Sequence, residues 1–164
     1  MKLELPGRRA GFLLLALACA GAMGFALFAQ YVLGLEPCPM CIMQRIAVIA
    51  AGIFALLAAL LPLCQARIAG VLALLSSLSG GAVAARQVWL QQLPWDQVPA
   101  CGPGLDYMLE TMPLWSVFSK VLKGSGECAV VDWTLFGLSM PMWSGLFFAA
   151  SLGFTLFLLW RSRS

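Results

Sequence analysis

Four stretches of the chain contain no Asp, Glu, Lys or Arg, and each is long enough to cross a lipid bilayer as a helix. They contain 26, 21, 18 and 28 residues and are Ala10–Leu35, Ile46–Ala66, Ile68–Ala85 and Trp133–Trp160. A transmembrane helix needs roughly 17–25 predominantly apolar residues. The pattern therefore predicts an all-α membrane protein, a four-transmembrane-helix bundle. We place its helices roughly at 11–30, 42–61, 68–89 and 142–160, in a single integral membrane domain over 1–164.

Two connections of unequal length, roughly 31–41 and 90–141, lie on the same side of such a bundle. The second is interrupted by four prolines, which break regular structure: Pro94, Pro99, Pro103 and Pro113. Within it, apolar residues recur at helical spacing on one face, at Leu114, Trp115, Phe118, Val121 and Leu122. This spacing predicts a short amphipathic helix, which either lies in the lipid headgroup layer or packs on the core of the loop itself.

Composition and charge support a membrane location. Hydrophobic residues make up 62% of the chain and charged residues only 10%, against about a quarter charged in soluble domains. Six basic residues lie at the two termini or between the second and third helices: Lys2, Arg8, Arg9, Arg67, Arg161 and Arg163. The positive-inside rule then predicts cytoplasmic N- and C-termini and two external loops. We expect the lipid bilayer as a partner and no nucleic acid.

The alternative for the first apolar stretch is a cleaved signal peptide, Met1–Ala29. Its charge-free run is longer than the roughly 7–15 residues of a typical signal-peptide core. We therefore expect this segment to remain as the first transmembrane helix.

Six cysteines divide into two groups by their predicted location. Cys38, Cys41, Cys101 and Cys128 fall in the two external loops, and Cys19 and Cys64 fall in or beside the helices. The outer face of a bacterial inner membrane is oxidising, so the four loop cysteines could form two disulfides. For Cys19 and Cys64 we expect small buried apolar side chains.

The Cys38-Pro-Met-Cys41 segment has the spacing of a dithiol in which one thiol can attack a mixed disulfide formed at the other. Zinc binding would need two more ligands, and the chain contains no histidine. A zinc site built from all four loop cysteines stays open as an alternative.

An arginine follows this dithiol at a spacing of one helical turn. Cys41 and Arg45 share one face of the second helix, close to its N-terminus, and both the charge and the helix dipole favour a thiolate. An arginine inside a membrane span is a candidate functional residue, although it could also extend to the headgroups. Arg86, at the outer end of the third helix, is a similar candidate.

Cys101 and Cys128 enclose a 28-residue segment of the long loop. A disulfide between them would either stabilise the loop or exchange with other thiols. Glycines beside both positions suggest a mobile loop, which favours exchange, but the spacing alone leaves both interpretations open.

Taken together, these features resemble the DsbB family of inner-membrane quinone reductases, and the resemblance covers essentially the whole chain. It depends on the Cys38-Pro-Met-Cys41 motif followed by Arg45, on the cysteine pair of the long loop, and on the segment Trp133–Trp143, WTLFGLSMPMW, entering the fourth helix. It implies an inner-membrane protein that reoxidises a periplasmic DsbA-like thiol oxidase and reduces a quinone, either ubiquinone or menaquinone.

The resemblance also implies roles for individual residues. Cys38–Cys41 and Cys101–Cys128 would be redox-active disulfides, with Cys101 forming the mixed disulfide with the partner. Cys38 would exchange with the long-loop pair through a transient inter-loop disulfide, and Cys41 would face the quinone. Arg45 would stabilise the Cys41 thiolate and the charge developing on the quinone. The quinone-binding candidates are Arg45, Arg86, Met142 and Trp143, although Trp143 could equally be an interfacial anchor.

The chain departs from this family in one feature, because some members have a histidine near the outer end of the third helix. A proton donor there would have to be Arg86, Gln91, Gln92 or water. Three other functions stay open: a DsbB-like paralogue with a dedicated partner, a quinone oxidoreductase of the vitamin K epoxide reductase type, and a membrane scaffold stapled by disulfides. In the vitamin K epoxide reductase type, the active cysteine pair usually lies at the start of a late helix. Here the pair lies at the start of the second helix, which favours the DsbB family.

Overall fold

The computed structural model describes residues 7–94, 96–99 and 105–161. In chain order its helices are α1 Arg8–Tyr31, α2 Pro39–Leu60, α3 Leu63–Gln91, α4 Leu105–Thr111, α5 Leu114–Lys123, α6 Gly126–Ala129 and α7 Met140–Arg161. A two-stranded antiparallel hairpin, β1 Thr134–Leu135 and β2 Leu138–Ser139, precedes α7. Four helices, α1, α2, α3 and α7, are long and apolar enough to span a membrane. This confirms the predicted four-helix membrane bundle.

The long helices begin earlier than the charge pattern indicates, because residues next to the charge-free runs supply their N-termini. Cys38 is the N-cap of α2, where its side chain accepts a hydrogen bond from the Cys41 N–H, and Pro39 occupies the first helical position. The third helix starts at Leu63, directly after Pro62. The connection between α2 and α3 is therefore only two residues long, which keeps these helices adjacent.

Small side chains form the contacts between the long helices. α2 packs between α1 and α3, and α3 packs against both α2 and α7. The buried positions of α3 recur every three or four residues and are mostly small: Ala66, Ala69, Gly70, Ala73, Ser77, Gly80 and Ala84. Small residues let membrane helices approach closely, and packing and hydrogen bonds then hold them without a hydrophobic driving force. Large apolar side chains such as Leu17 and Leu60 are exposed, as expected for a surface solvated by lipid.

The long loop contains three short helices, α4, α5 and α6, and packs on the end of the bundle where α1 ends and α2 begins, called the loop end here. A buried cluster there joins the loop helices to α2 and α3 and contains Met40, Leu90, Met108, Val117, Val121 and Cys128. Gly124 ends α5 with φ +86°, and a Cβ at this position would overlap the Leu90 side chain. Glycine therefore permits both the backbone turn and the close contact between the loop and α3.

The predicted amphipathic helix is present as α5, and of the two orientations left open it packs on the core of the loop, through one edge. Val117 and Val121 are buried on the core of the loop, whereas Leu114 and Trp115 are 75% and 78% exposed. The helix thus packs on the loop core through one edge and leaves much of the predicted apolar face outside. The sequence did not predict the hairpin, whose two-residue turn at Phe136 and Gly137 has positive φ at both positions.

The two cysteines outside the loops have different environments. Cys19 is buried in the central core with Phe12 and Leu15, which confirms the expectation for this residue. Cys64 is exposed, so the prediction of a buried side chain is wrong there. The physical reason is its place in the first turn of α3, at the end of the bundle, where no neighbouring helix covers it.

Gly80 is where α3 and α7 approach most tightly, and Gly80→Ala should destabilise the bundle. The added Cβ would overlap the ring of Phe148, which is fully buried, whereas a Cβ at Gly81 would lie 3.4 Å from the Phe148 Cβ in ordinary contact. Overpacking of this kind costs about 1–3 kcal/mol. Unfolding in detergent with increasing dodecyl sulfate should show this loss for Gly80→Ala and little change for the matched control Gly81→Ala. Equal stability of the two variants would contradict the packing described.

Candidate active site

The Cys38–Cys41 pair lies at the loop end, in the first turn of α2. The Sγ atoms of Cys38 and Cys41 are 3.1 Å apart, and the Cys41 N–H donates to Cys38 Sγ at 3.4 Å. Both residues are half-buried. The capping position of Cys38 and the turn begun by Pro39 bring the two sulfurs together at the positive end of the helix dipole, which favours a thiolate.

The second loop brings a third sulfur to this pair. Cys128, in α6, is 1% exposed and belongs to the buried cluster against which Cys38 packs. The Ser125 Oγ lies 3.6 Å from its Sγ. Cys38 is thus in contact with Cys41 on one side and with Cys128 on the other. This arrangement brings cysteines of two separate loops close together.

The interaction between Cys38 and Cys128 shifts the pKa values of the two thiols in opposite directions. The hydrogen bond from Cys38 lowers the pKa of Cys128 to about 6, and this outweighs the opposing effect of burial. The pKa of Cys38 is raised, first by the hydrogen bond to Cys128, then by that to Cys41 and by burial. Cys128 is therefore the more acidic thiol of the pair, and the thiolate is the nucleophilic form.

A pH titration of the reduced protein should detect this thiolate. We expect ultraviolet thiolate absorbance to rise through a step near pH 6 that is absent in Cys128→Ser. Cys38→Ala removes the main hydrogen-bond donor and should move the step up toward the ordinary thiol range, near about pH 8.5. Ser125→Ala, which removes a weaker contact, should move it less. A step that stays in place in Cys38→Ala would rule out the hydrogen bond as its cause.

Cys101 lies outside the described residues, four positions before Leu105, the first residue of α4. Its pairing with Cys128 and its contact with a partner protein therefore stay predictions.

A cavity of about 490 Å³ opens beside the dithiol, between α1, α2 and α7. Cys38, Cys41 and Arg45 line it together with apolar side chains, among them Met23, Phe25, Val48, Val130, Met140 and Phe147. Arg45 is held in the bundle by hydrogen bonds from its guanidinium to Gln30 Oε1 and, at 3.1 Å, to the Ala26 carbonyl. The lining is mostly apolar, and its charged members are one cation, Arg45, and three carboxylates, Glu36, Glu127 and Asp132.

The other predicted quinone-binding residues are placed differently. Trp143 lines the cavity and donates from Nε1 to the Leu135 carbonyl at 3.2 Å, which ties α7 to the hairpin. Met142 and Arg86 are not among the described lining residues. Arg86 instead donates to the Lys123 carbonyl at 3.2 Å and stacks 4.2 Å from the Trp89 ring centre. The geometry therefore gives Arg86 a contact that holds the end of α5 on α3, and no contact with the cavity.

The site thus combines a cluster of three cysteines with a largely apolar cavity. The family model described as disulfide bond formation protein DsbB matches residues 8–158. The chain belongs to the DsbB family.

Individual relatives match over nearly their whole length. Disulfide bond formation protein B of Chromobacterium violaceum is 58% identical over 157 residues, covering 94% of this chain and 95% of that protein. Disulfide bond formation protein B 1 of Pseudomonas aeruginosa PAO1 is 50% identical over 156 residues, covering 94% and 96%. The protein from Chromohalobacter salexigens is 57% identical over 148 residues, covering 88% and 86%. This chain is therefore an integral membrane protein with a role in disulfide bond formation.

Sequence reasoning missed two glutamines in this DsbB-family site. Gln44 and Gln87 are only 6% and 3% exposed, and both line the cavity. Gln87 Nε2 lies 3.3 Å from Cys38 Sγ and 3.4 Å from Cys41 Sγ. The sequence did indicate them, because each glutamine is a polar residue inside a predicted membrane span and next to an arginine. A search for charged residues alone does not detect uncharged amides.

Proposed function

We propose that this protein reoxidises a periplasmic DsbA-like thiol oxidase and passes the electrons to a membrane quinone. The observation that carries the proposal is the position of Cys38, which contacts Cys128 of the long loop and Cys41 at the cavity. A continuous series of sulfur contacts thus leads from the long loop to an apolar cavity between membrane helices.

The contacts support the following exchange. A thiolate of the reduced partner attacks Cys101 in the Cys101–Cys128 disulfide and releases the Cys128 thiolate. This thiolate attacks Cys38, so that the Cys38–Cys128 bond forms, the Cys38–Cys41 bond breaks, and Cys41 leaves as a thiolate. The partner's second thiolate then releases Cys101 by forming the partner's own disulfide.

The cycle of the loop cysteines closes when Cys101 attacks Cys128. The Cys101–Cys128 disulfide forms again and Cys38 leaves as a thiolate, so that both electrons of the partner dithiol now reside on Cys38 and Cys41. The low pKa of Cys128, about 6, supports its role as the attacking group at neutral pH.

The cavity fits a quinone as the acceptor. Its volume of about 490 Å³ is within the roughly 300–1,000 Å³ typical of small-molecule sites, and its apolar lining suits a ring that arrives from the lipid phase. A bound quinone, ubiquinone or menaquinone, would supply a two-electron acceptor beside Cys41. Arg45 would then attract negative charge developing on the acceptor, because its guanidinium is fixed by α1.

Redox energetics also favour such an acceptor. A DsbA-type oxidase has a potential near about −120 mV, whereas structural disulfides lie below about −300 mV. Transfer from the partner to a structural-type disulfide would be uphill by roughly 180 mV, or about 8 kcal/mol. The loop disulfides must therefore be strongly oxidising, or an acceptor must remove the electrons from the reduced cysteines. A membrane quinone would be such an acceptor.

We also propose an inner-membrane location with both termini in the cytoplasm. Arg8 begins α1, Arg67 lies in the first turns of α3, and Arg161 ends α7, so all three lie at the end of the bundle opposite the loop end. The positive-inside rule places such a cluster in the cytoplasm, which leaves the loop cysteines in the oxidising periplasm.

The proposal is tested by anaerobic stopped-flow mixing of the purified protein with excess reduced DsbA and a short-chain ubiquinone. We expect quinone absorbance to fall in step with DsbA oxidation. Reduction with menaquinone alone would identify the acceptor, and reduction only with a different thiol oxidase would indicate a paralogue with a dedicated partner. Absence of reduction with every pair would contradict the proposal.

A further inference from the structure

We propose that Gln87 stabilises the thiolate form of the Cys38–Cys41 pair by direct hydrogen bonding, and that Gln44 and Ser144 are positioning residues that orient its amide. This inference rests on the proposed function, since it concerns the same dithiol. It differs from the role expected of Arg45, whose hydrogen bonds in the described structure go to Gln30 and Ala26 on α1.

Gln87 touches both reacting sulfurs. Its Nε2 group has two hydrogens and lies 3.3 Å from Cys38 Sγ and 3.4 Å from Cys41 Sγ, within the range of N–H···S hydrogen bonds. The side chain is 3% exposed, so water competes little for these donors. A hydrogen bond to an ionised group in such a site is stronger than one between neutral groups, so the contact favours the thiolate.

The orientation of the Gln87 amide is set by two further residues. Gln44 Nε2 donates to Gln87 Oε1 at 2.8 Å, which occupies the Gln87 carbonyl and turns its Nε2 group toward the sulfurs. Ser144 Oγ in turn donates to Gln44 Oε1, which turns the Gln44 Nε2 group toward Gln87. The donor direction thus runs from α7 through α2 to α3 and ends at the dithiol.

The hydrogen bonds that lead from Ser144 through Gln44 to Gln87 can exchange their donor and acceptor roles when the dithiol is protonated. Ser144 Oγ also lies 3.0 Å from the Pro141 carbonyl, and its single hydrogen can serve only one acceptor. If it serves Pro141, both amides can turn over and the Gln87 carbonyl faces the sulfurs. The Cys41 Sγ already lies 3.8 Å from Gln87 Oε1, where a thiol hydrogen could be donated. Amides have no proton to lose in the neutral range, so the network adapts without titrating itself.

Site-resolved alkylation of the reduced full-length protein in detergent tests this role. We expect the rate of Cys41 modification by a small maleimide at neutral pH to fall about tenfold in Gln87→Met, as for loss of one hydrogen bond to a charged group. Gln87→Glu has the same shape but places a carboxylate beside the sulfurs, so its rate should fall further. The matched control is Gln65→Met in the first turn of α3, where the side chain is exposed at the opposite end of the bundle, and it should leave the rate unchanged.

Gln44→Glu tests the orientation of the Gln87 amide separately from its contact with the sulfurs, because this variant keeps Gln87 and leaves the side-chain volumes almost unchanged. A carboxylate at position 44 can only accept, so it should draw the Gln87 Nε2 group away from the sulfurs and lower the alkylation rate. In a glutathione buffer, the equilibrium between the Cys38–Cys41 dithiol and its disulfide should also shift toward the disulfide in this variant. A tenfold change away from the reduced form corresponds to a potential about 30 mV lower.

Neither measurement uses a quinone or a partner protein, so failure of the proposed function would not alter them. If Gln87→Met and Gln65→Met react at the same rate, the inference is overturned. Equal rates for Gln87→Met and Gln87→Glu would also overturn it, because packing alone would then explain the effect. If Gln87→Met does not fold, the two isosteric variants Gln87→Glu and Gln44→Glu still decide the question.

Discussion

Cys41→Ser should abolish quinone reduction by this protein. The Cys41 Sγ lies 3.1 Å from the Cys38 Sγ, and Cys41 also lines the cavity. A serine hydroxyl cannot form a disulfide, so electrons that reach Cys38 have no route onward. Anaerobic stopped-flow absorbance with excess reduced DsbA and a short-chain ubiquinone should show complete loss of quinone reduction. The wild-type protein should show, in addition, a visible charge-transfer band from the thiolate to the quinone.

Cys64→Ser is the matched control for this loss, since Cys64 is exposed at the opposite end of the bundle. It should retain wild-type rates. Quinone reduction that persists in Cys41→Ser would contradict the proposed electron path and would leave the dithiol a structural role.

Arg45→Met should weaken quinone reduction without preventing exchange among the cysteines. The guanidinium lines the cavity and is fixed by Gln30 and by the Ala26 carbonyl, so its charge is held in place before the acceptor becomes negative. Hydrogen bonds to charged groups contribute about 1.5–3 kcal/mol, which corresponds to a rate loss of about 10- to 100-fold. Steady-state quinone reduction over a range of quinone concentrations measures this loss and its division between kcat and KM.

Two further arginines decide whether the effect is specific. Arg161→Met changes an exposed residue at the far end of α7 and should have no effect on quinone reduction. Arg86→Met tests a residue that the sequence favoured and the cavity does not include; it should leave the quinone KM unchanged and instead loosen the α5 contact. A rise in KM for Arg86→Met that equals that for Arg45→Met would place both charges at the acceptor.

Local spacing predicted only part of the candidate site. The proximity of Cys38 and Cys41, and the place of Arg45 one turn later, follow from helix geometry within a single segment. The contact of Cys38 with Cys128 spans 90 positions of the chain and depends on how the long loop docks, which involves the Leu90–Gly124 contact and the buried Val117 and Val121. No periodicity in the sequence gives that docking.

The sequence by itself determined the number of membrane helices and the proximity of Cys38 and Cys41, because a bilayer demands apolar runs of a set length and a helix turn fixes the distance between residues three or four apart. The tertiary structure alone decided which side chains meet across helices. Gln87 reaches the sulfurs and Arg86 turns away to α5, although the two are neighbours in α3. Successive residues of a helix point about 100° apart, so the rotation of α3 against α2 and α7 decides which of them enters the site.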